Sequence, residues 1–476
     1  MTQGRNWFYR LSLAALICIA ASSLVWTQAP ERLIIVHTND MHGQVLPKDG
    51  IGGMAEMATL IKRFNPDLIL DGGDMFTGTM LSDENKGKPL IEIMNRLHFN
   101  AAAMGNHEFD YGVEALATRV SEAQFPILSA NVKGIPGIKP FTILNVKGLR
   151  IGVIGLTTEE IVTTTHPKNL KTVTLTTLLK AMEETMPVVR RQSDFIILVA
   201  HLEQEEQFAV AKAFPEVKLI IAGHPHATRT STVGTTTIVE AGNSLRFIGR
   251  LDVRIADKVP VSITEELIPI QGVPPDPEIQ ALIKPYRDAI ELRSSARVGE
   301  ALGDINRSRD DESPLNDLIA DALRETTGTQ IGIQNPGGIR ANIVKGPITF
   351  GSIFETLPFT NTLVTLNMTG TQLKLALSHI VLAVSGLRIE WDMTKPQGSQ
   401  LVSATLADGK PIVDNQTYSI TTNDFVQAGG DGLVEFKGAT NVVDTGKYLR
   451  EAIESYIRKN PAVQPKTDGR VTVKRR

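Results

Sequence analysis

The chain has 476 residues, of which 42% are hydrophobic and 21% are charged. This composition is typical of a globular protein and excludes a disordered chain, a collagen-like repeat and a disulfide-rich miniprotein. The 49 Lys and Arg residues nearly balance the 52 Asp and Glu residues. A net charge of −3 gives no sign of the broad basic surface that nucleic acid requires.

The N-terminus is typical of a secretory signal peptide. Arg5 and Arg10 precede an apolar run over residues 11–21, and small residues follow it. We therefore expect a signal peptide over residues 1–29 and a periplasmic or extracellular protein. The alternative is an uncleaved anchor, which would be the one contact with a membrane. Cys18, the only cysteine, lies in this segment, so the cleaved protein would contain none.

The first half alternates apolar runs with amphipathic stretches. The predicted buried strands are Leu33–His37, Asp67–Asp71, Ile151–Gly155, Phe195–Ala200 and Val217–Ala222. The predicted helices are Met54–Phe64, Pro89–Leu97 and Val113–Ala123. Such alternation predicts a layered α/β domain.

A break in this pattern predicts the division into domains. Four prolines fall in the ten residues from Ile268 to Pro277. We place an α/β domain over residues 31–270, a linker helix over 275–296, and an α+β domain over 297–476. Pro285 is expected to kink or split the linker helix.

Polar side chains cluster just past the predicted strands of the first half. They are Asp40, His42, Asp74, Asn106, His107, His201, His224 and His226. Ligands of open α/β sheets bind at this edge of the sheet. Residues i and i+2 of an extended chain share a side, so Asp40 with His42, and His224 with His226, are each expected to form a pair.

This set of side chains favours phosphate chemistry on two metal ions. Carboxylates, imidazoles and an amide without thiolates suit Zn, Mn or Co rather than a structural cysteine site. Eight groups are too many for one ion, whereas two ions that share Asp74 use seven and leave His107 free. Two divalent ions, two carboxylates and a hydroxide leave one positive charge, which attracts an anionic substrate. Metal coordination lowers the pKa of water from ~15.7 to about 7.

Four motifs, in this order, resemble those of the calcineurin-like metallophosphoesterases. They are Asp40-x-His42-Gly43, Gly72-Gly73-Asp74, Gly105-Asn-His-Glu-Phe-Asp110 and Gly223-His224-x-His226. The third motif and the second domain narrow the resemblance to the secreted two-domain 5′-nucleotidase and UDP-sugar hydrolase family. One departure is Glu203, because a glycine is common in the family after the leucine that follows His201.

The resemblance implies a role for each of these residues. Asp40, His42, Asp74 and His226 would hold one ion, and Asp74, Asn106, His201 and His224 the other. His107 would stabilise the phosphoryl transition state, with Asp110 orienting it.

The second domain resembles the substrate-binding domain of the same family. Asn335-Pro-Gly-Gly-Ile-Arg340 is similar to its Asn-Gly-Gly-Gly-Ile-Arg motif, whose arginine contacts substrate. By this resemblance Phe359 and Phe425 would stack a nucleobase and Asp431 would hold a ribose. Arg309 is the candidate for a further substrate-binding arginine, with Arg307 as its rival.

The expected function is that of an exported hydrolase of small-molecule nucleotides. It would release phosphate from nucleoside 5′-monophosphates, cleave UDP-sugars, or both, through attack of a metal-bound hydroxide on phosphorus. The alternatives are a 2′,3′-cyclic-nucleotide 2′-phosphodiesterase or a sulfur-compound hydrolase on the same fold, and a non-catalytic nucleotide-binding surface protein. Neither the metal nor the oligomeric state follows from the sequence.

Overall fold

The computed structural model describes residues 31–396 and 398–475. The predicted signal peptide over residues 1–29, with Cys18, lies outside these residues. Within the described ranges, none of the helices combines the length and the apolar character needed to cross a membrane.

Fourteen strands form the first half of the described chain. They are β1 Glu31–Thr38, β2 Leu68–Asp71, β3 Ala101–Ala103, β4 Ile127–Leu128, β5 Val132–Lys133, β6 Phe141–Val146, β7 Leu149–Thr157, β8 Thr174–Leu175, β9 Phe195–His201, β10 Val217–Gly223, β11 Thr228–Val233, β12 Thr236–Ala241, β13 Phe247–Ala256 and β14 Val259–Pro269. Twelve of them build two six-stranded sheets, in the orders β14-β13-β1-β2-β3-β4 and β11-β12-β10-β9-β7-β6, and β5 pairs with β8. The five predicted strands are all present.

The two large sheets pack against each other through one apolar core. Ile35 and Leu70 of the first sheet share this core with Val153, Val199 and Ile221 of the second, and all five are fully buried. Helices cover the outer faces of both sheets. The layered α/β architecture expected from the alternating pattern is thus confirmed.

Seven helices belong to the first half. They are α1 Met54–Phe64, α2 Met80–Asp83, α3 Lys88–Arg96, α4 Val113–Glu122, α5 Ile161–Thr164, α6 Leu178–Gln192 and α7 Gln204–Ala213. The three predicted helices agree with α1, α3 and α4 to within one residue at each end.

Helix α8 (Pro277–Ser294) joins the two halves. Its N-terminus is capped by Asp276, whose carboxylate accepts hydrogen bonds from two backbone N–H groups. Ile279 and Ile283 pack into the core of the first half, and Ile290 contacts the cores of both halves. Pro285 lies inside the helix but does not split it, because α8 runs through this position as one element.

Eleven strands and five helices form the second half. The strands are β15 Arg297–Ala301, β16 Ile331–Gln334, β17 Gly346–Thr349, β18 Thr362–Thr369, β19 Ala383–Ser385, β20 Leu387–Asp392, β21 Leu401–Leu406, β22 Thr417–Asn423, β23 Thr440–Tyr448, β24 Ala462–Val463 and β25 Val471–Lys474. The helices are α9 Pro314–Thr327, α10 Phe350–Thr356, α11 Gly370–Ala376, α12 Asp424–Gln427 and α13 Leu449–Lys459. The sheet orders are β17-β15-β24, β19-β16-β22-β18-β23 and β21-β20-β25.

The strand directions bring the polar loops of the first half together. Strands β1, β2 and β3 are parallel neighbours in one sheet, as are β9 and β10 in the other. The carboxyl ends of parallel neighbouring strands lie at the same edge of a sheet. The loops that follow these strands in the two sheets meet at this common edge.

Candidate active site

Asp40, His42 and His226 form the first of two polar clusters at this edge. The Nε2 atoms of His42 and His226 are 2.9 Å apart, and Asp40 Oδ1 lies 3.3 Å from His226 Nε2 and 3.8 Å from His42 Nε2. Asp40 is fully buried. Its second carboxylate oxygen accepts hydrogen bonds from the Asn39 side chain and the backbone N–H of His224.

Asp74, His201 and His224 form the second cluster. Asp74 Oδ2 lies 3.0 Å from His201 Nε2, and His224 Nδ1 lies 3.2 Å from the same nitrogen. Asp74 Oδ2 is also 4.0 Å from Nε2 of His42. Asp74 therefore lies between the two clusters, where one carboxylate could contact two ions.

The expectation that His224 and His226 act as a pair was wrong, since they belong to different clusters. The chain is not extended here: φ is 94° at His224 and 59° at His226. The same-side rule holds only for extended backbone. Asp40 and His42 do come together, but through a tight turn with φ of 49° and 46°.

The two clusters fit a pair of divalent ions. Each contains three side chains whose ligand atoms lie within 4.8 Å of one another. Asn106 lines the same cavity as Asp74, His224 and His226, and its buried Oδ1 finds no hydrogen-bond partner in the described part of the chain. A buried amide oxygen without a partner is costly, and a cation would satisfy it. Carboxylate, imidazole and amide donors without thiolates suit borderline divalent metals.

The acid–base state of these groups is also suited to metal binding. Burial and the charge of His226 lower the pKa of His42 to about 3, which keeps that imidazole neutral. Burial opposes the charge on Asp40, but the hydrogen bond with His226 and the charge of His201 outweigh it and lower the pKa to about 2. Burial likewise disfavours a charged His201, yet Asp74 raises its pKa to about 10. An ion binding there would displace this proton.

His107 and Asp110 form a hydrogen-bonded pair at the edge of the clusters. A 3₁₀ turn over His107–Phe109 brings Asp110 Oδ2 to 2.8 Å from His107 Nδ1. The backbone N–H of His107 donates to Asp74 Oδ1 at 2.9 Å. The hydrogen bond with Asp110 thereby orients the His107 imidazole and leaves Nε2 as the ring nitrogen that is not engaged by Asp110.

Glu108 was not singled out from the sequence, although it connects two of the site loops. Its buried carboxylate accepts hydrogen bonds from the backbone N–H groups of Gly105, Asp74 and Met75, at 2.7 to 3.0 Å. This ties the loop after β2 to the loop after β3. The only sequence signal was its place between His107 and Asp110.

A cavity of about 460 Å³ lies between the two halves of the molecule. The predicted site residues that line it are Asp74, Asn106, His107, Asp110, His224, His226, Arg309, Asn335, Arg340, Phe359, Phe425 and Asp431. Asp40 and His201 are buried beneath it, and His42 lines a neighbouring cavity of about 430 Å³. Arg307 lines only that second cavity, so Arg309 is the better placed of the two rivals.

Phe359 of the second half contacts His107 of the first half within the cavity. Its ring stacks on the His107 imidazole, with centroids 5.7 Å apart and an angle of 17° between planes. The guanidinium of Arg340 lies 5.8 Å from the centroid of the same ring. Phe425 lines the same cavity and packs against Gly430, where a Cβ would approach its ring to 2.3 Å.

Asn335 and Asp431 are joined by a hydrogen bond from Asn335 Nδ2 to Asp431 Oδ2 of 2.7 Å. Asn335 Oδ1 in turn accepts from the side chains of Gln334 and Asn423, each at 2.9 Å. Pro336 opens a 3₁₀ turn, a position that suits its fixed φ. The proline in the Asn335–Arg340 motif is therefore compatible with an ordered Asn335.

Three further residues, missed from the sequence, connect the halves at the outer end of the cavity. Asp424 Oδ2 of the second half lies 3.1 Å from Lys168 Nζ and 3.3 Å from His166 Nε2 of the first. The other oxygen of Asp424 accepts from Asn361 Nδ2 at 2.8 Å. Only the position of Asp424 next to Phe425 could have pointed to it.

Comparison with known proteins gives matches over most of the chain. A calcineurin-like phosphoesterase family matches residues 33–228, and the 5′-nucleotidase C-terminal domain family matches residues 295–440. A trifunctional nucleotide phosphoesterase protein, YfkN of Bacillus subtilis (strain 168), is 29% identical over 92% of this chain and 35% of its own length. The chain thus spans about a third of that relative.

Two other matches cover both proteins almost completely. A 5′-nucleotidase of Diplobatis ommata is 27% identical over 96% of this chain and 92% of that protein. The crystal structure of a 5′-nucleotidase precursor from Thermus thermophilus superposes with a TM-score of 0.87 at 29% identity, covering 94% of this chain and all of that one. The family expected from the four motifs is therefore confirmed: the chain belongs to the metal-dependent phosphoric-ester hydrolases that combine a calcineurin-like phosphoesterase domain with a 5′-nucleotidase C-terminal domain.

Proposed function

We propose that this protein is an exported enzyme that releases phosphate from nucleoside 5′-monophosphates. The observation that supports this most strongly is the stack between Phe359 and His107. It brings the predicted base-binding ring of one half against the predicted transition-state residue of the other. A base, a ribose and one phosphate would then reach from Phe425 to the metal clusters within one cavity.

The residues would divide the reaction between them as follows. Asp40, His42 and His226 would hold one ion, Asn106, His201 and His224 the other, and Asp74 both. Two bound ions would supply Lewis acidity, which lowers the pKa of water and offsets the charge that develops on a phosphoryl group.

The other side chains would bind and orient the nucleotide. Burial disfavours a charged His107, but Asp110 and Asp74 raise its pKa, and in the protonated form Nδ1 donates to Asp110 while Nε2 can donate to a phosphoryl oxygen. Arg340 and Arg309 would attract the phosphate, and Asp431, ordered by Asn335, would accept from a ribose hydroxyl. Phe359 and Phe425 would stack the base, an interaction that any base can make.

UDP-sugars are the second candidate substrates, favoured by the neighbouring cavity of about 430 Å³. His107, Arg309, Arg340 and Phe359 line both cavities. A diphosphate substrate carries a sugar beyond the phosphorus that is attacked, and the second cavity would give that sugar room. A nucleoside monophosphate would leave this space to water.

The domain limits and the export of the protein are part of the same proposal. We keep a phosphoesterase domain over 31–270, a linker helix over 275–296 and a substrate-binding domain over 297–476. The arrangement of Arg5, Arg10 and the apolar run over 11–21 supports export. Fractionation of producing cells, with N-terminal sequencing of the product, would test both export and cleavage.

Hydrolysis assays with the purified protein test the substrate. AMP, UDP-glucose and a 2′,3′-cyclic nucleotide would be offered with Mn²⁺, after prior removal of metal by a chelator. We expect no turnover by the stripped protein and restored turnover of AMP, of UDP-glucose or of both. Turnover of the cyclic nucleotide alone would favour the phosphodiesterase alternative. Two bound ions without turnover of any of the three would contradict the proposal.

A further inference from the structure

The two ring nitrogens of His224 face different surroundings. Nδ1 points into the second cluster, 3.2 Å from His201 Nε2. Nε2 lies 3.2 Å from Glu203 Oε1 and 3.6 Å from Glu160 Oε2, outside the predicted ligand set. An ionised carboxylate only accepts hydrogen bonds, so the 3.2 Å contact with Glu203 favours the tautomer that carries the ring proton on Nε2. Nδ1 is then the nitrogen with a free lone pair.

Two of the other three predicted histidine ligands, His42 and His201, are oriented differently. His42 Nδ1 lies 3.1 Å from the carbonyl oxygen of Thr77, and His201 Nδ1 lies 3.0 Å from that of Gly72. Both rings thus direct Nε2 inward and are held by neutral backbone groups. His224 directs Nδ1 inward and is held by carboxylates. A negative partner raises the basicity of a ligating imidazole more than a neutral one does.

Glu160 lies at the N-terminus of α5, and Glu203 lies at the N-terminus of α7. Glu203 is the N-cap of this helix, and it exchanges hydrogen bonds with Glu206 in a capping box. Glu206 Oε1 also accepts the backbone N–H of Glu159, the neighbour of Glu160, at 2.9 Å. The positions of Glu203 and Glu160 are therefore coupled through Glu206.

Capping alone does not explain a glutamate at position 203. Ser, Thr, Asp and Asn are the preferred N-cap residues, because a short side chain reaches the free N–H groups best. The longer glutamate side chain also reaches His224. In the family that this chain resembles, the position commonly holds glycine, which could make no such contact.

We propose that Glu203, assisted by Glu160, is a positioning residue for His224. It fixes the ring orientation and the tautomer, and it strengthens His224 as a ligand of the second ion. This inference rests on the proposed metal-dependent function, but it concerns metal binding rather than the choice of substrate.

The decisive variant is Glu203→Ser, since serine keeps the helix cap and completes a Ser-x-x-Glu capping box with Glu206 but cannot reach Nε2 of His224. Glu203→Gln keeps an oxygen acceptor and loses only the charge. Glu205→Gln is the matched control, because Glu205 is exposed in the same turn of α7. The affinities for two Mn²⁺ ions would be measured by chelator competition, and the pairing of the ions by their electron paramagnetic resonance spectrum.

We expect Glu203→Ser to weaken the binding of one ion roughly 10–100-fold and to leave the other unchanged. Glu203→Gln should have a smaller effect, and Glu205→Gln none. At limiting Mn²⁺ the spectrum of Glu203→Ser should change from a coupled pair to a single ion, while the melting temperature of the metal-free protein stays at the wild-type value.

Unchanged affinities for both ions in Glu203→Ser would overturn the proposal. So would an equal loss at both sites accompanied by a lower melting temperature, because that would indicate a general effect on the fold. If the wild type bound two ions but hydrolysed no nucleotide, the proposed function would fail while the role of Glu203 could still be established from the binding data.

Discussion

The two ends of the cavity between the halves are built differently. At the proposed metal end, formed by the two polar clusters, the carboxylates of Asp40 and Asp74 are buried, and each accepts a hydrogen bond from a backbone N–H group. At the proposed nucleoside end, Phe359 and Phe425 are only half-buried, and the nearby Asp424 forms an ion pair with the half-exposed Lys168 of the other half. The proposed metal ligands are therefore ordered within one half, whereas the proposed nucleoside contacts depend on how the two halves meet.

Replacement of His107 should give the largest effect and tests the metal end. In His107→Asn we expect kcat for the best nucleotide to fall by about 10²–10⁴-fold, because a positioned proton donor contributes on this scale. KM and the number of bound ions should change little. Initial-rate kinetics with metal analysis would measure all three.

His98→Asn is the matched control for that variant. His98 is exposed and has a φ of 58°, a conformation that asparagine also adopts readily. Its kinetics should equal those of the wild type. A wild-type kcat in His107→Asn would contradict the assignment of His107.

Removal of an aromatic ring tests the nucleoside end. Stacking of a base on an aromatic side chain contributes about 1–3 kcal/mol, so Phe425→Ala should lower kcat/KM for AMP by roughly 5–150-fold. Ribose 5-phosphate has no base, and its hydrolysis should not respond to this change. Equal losses for the two substrates would show that Phe425 has a packing role only.

The pH dependence of stability, through Asp83, tests the junction between the two halves of the chain. Helix α2 inserts Met80 into the core of the second half, and Asp83 at its end accepts a hydrogen bond from Tyr111. Burial raises the pKa of Asp83 to about 8, against the hydrogen bond from Tyr111 and the charge of Arg450. The folded state thus holds a proton that the unfolded state loses above pH ~4.

The stabilisation from Asp83 is full below pH ~4 and is lost as pH rises through about 8. Relative to Asp83→Asn, the wild type should lose free energy of unfolding over this range, by at most about 1.4 kcal/mol per pH unit. Urea unfolding at pH 5 and pH 8 would measure it. Asp257→Asn, at an exposed turn, is the control, and parallel profiles for wild type and Asp83→Asn would contradict the prediction.

The smallest effect is expected at the bridge across the outer end of the cavity. Lys168 is half-exposed, and the buried Asp424 keeps His166 and Asn361 as partners, so the loss should be about 0.2–1 kcal/mol, as for exposed ion pairs. Lys168→Ala should therefore raise KM no more than about 5-fold and leave kcat unchanged. The effect should fade with added salt. A loss of kcat similar to that of His107→Asn would mean that Lys168 contributes to the chemistry and that the two ends are less separate than described.

The sequence predicted local features of the molecule better than features that depend on backbone geometry or on contacts between distant residues. Local patterns predicted the buried strands and placed eight polar residues at their ends, because strand ends follow from apolar runs and glycines. They failed where backbone geometry decides, as at His224 and His226, whose positive φ sends them to separate clusters.

Contacts between residues far apart in the chain were also beyond the sequence. The link from Lys168 to Asp424 spans 256 positions, and no local pattern records such a pairing. The sequence marked Glu203 only as a departure from the family pattern and predicted no contact with His224. Pro285 was expected to kink or split α8; it does not split the helix, and Ile279, Ile283 and Ile290 pack on both sides of it.

The stack of Phe359 on His107 has a thermodynamic consequence. If Phe359 and His107 act as proposed, one face of the Phe359 ring holds the His107 imidazole, and ligands at the nucleoside end and at the metal end would not bind independently. Linkage requires this coupling to be reciprocal. Adenosine should therefore raise the affinity for inorganic phosphate by the same factor by which phosphate raises the affinity for adenosine, and Phe359→Ala should abolish both increases together.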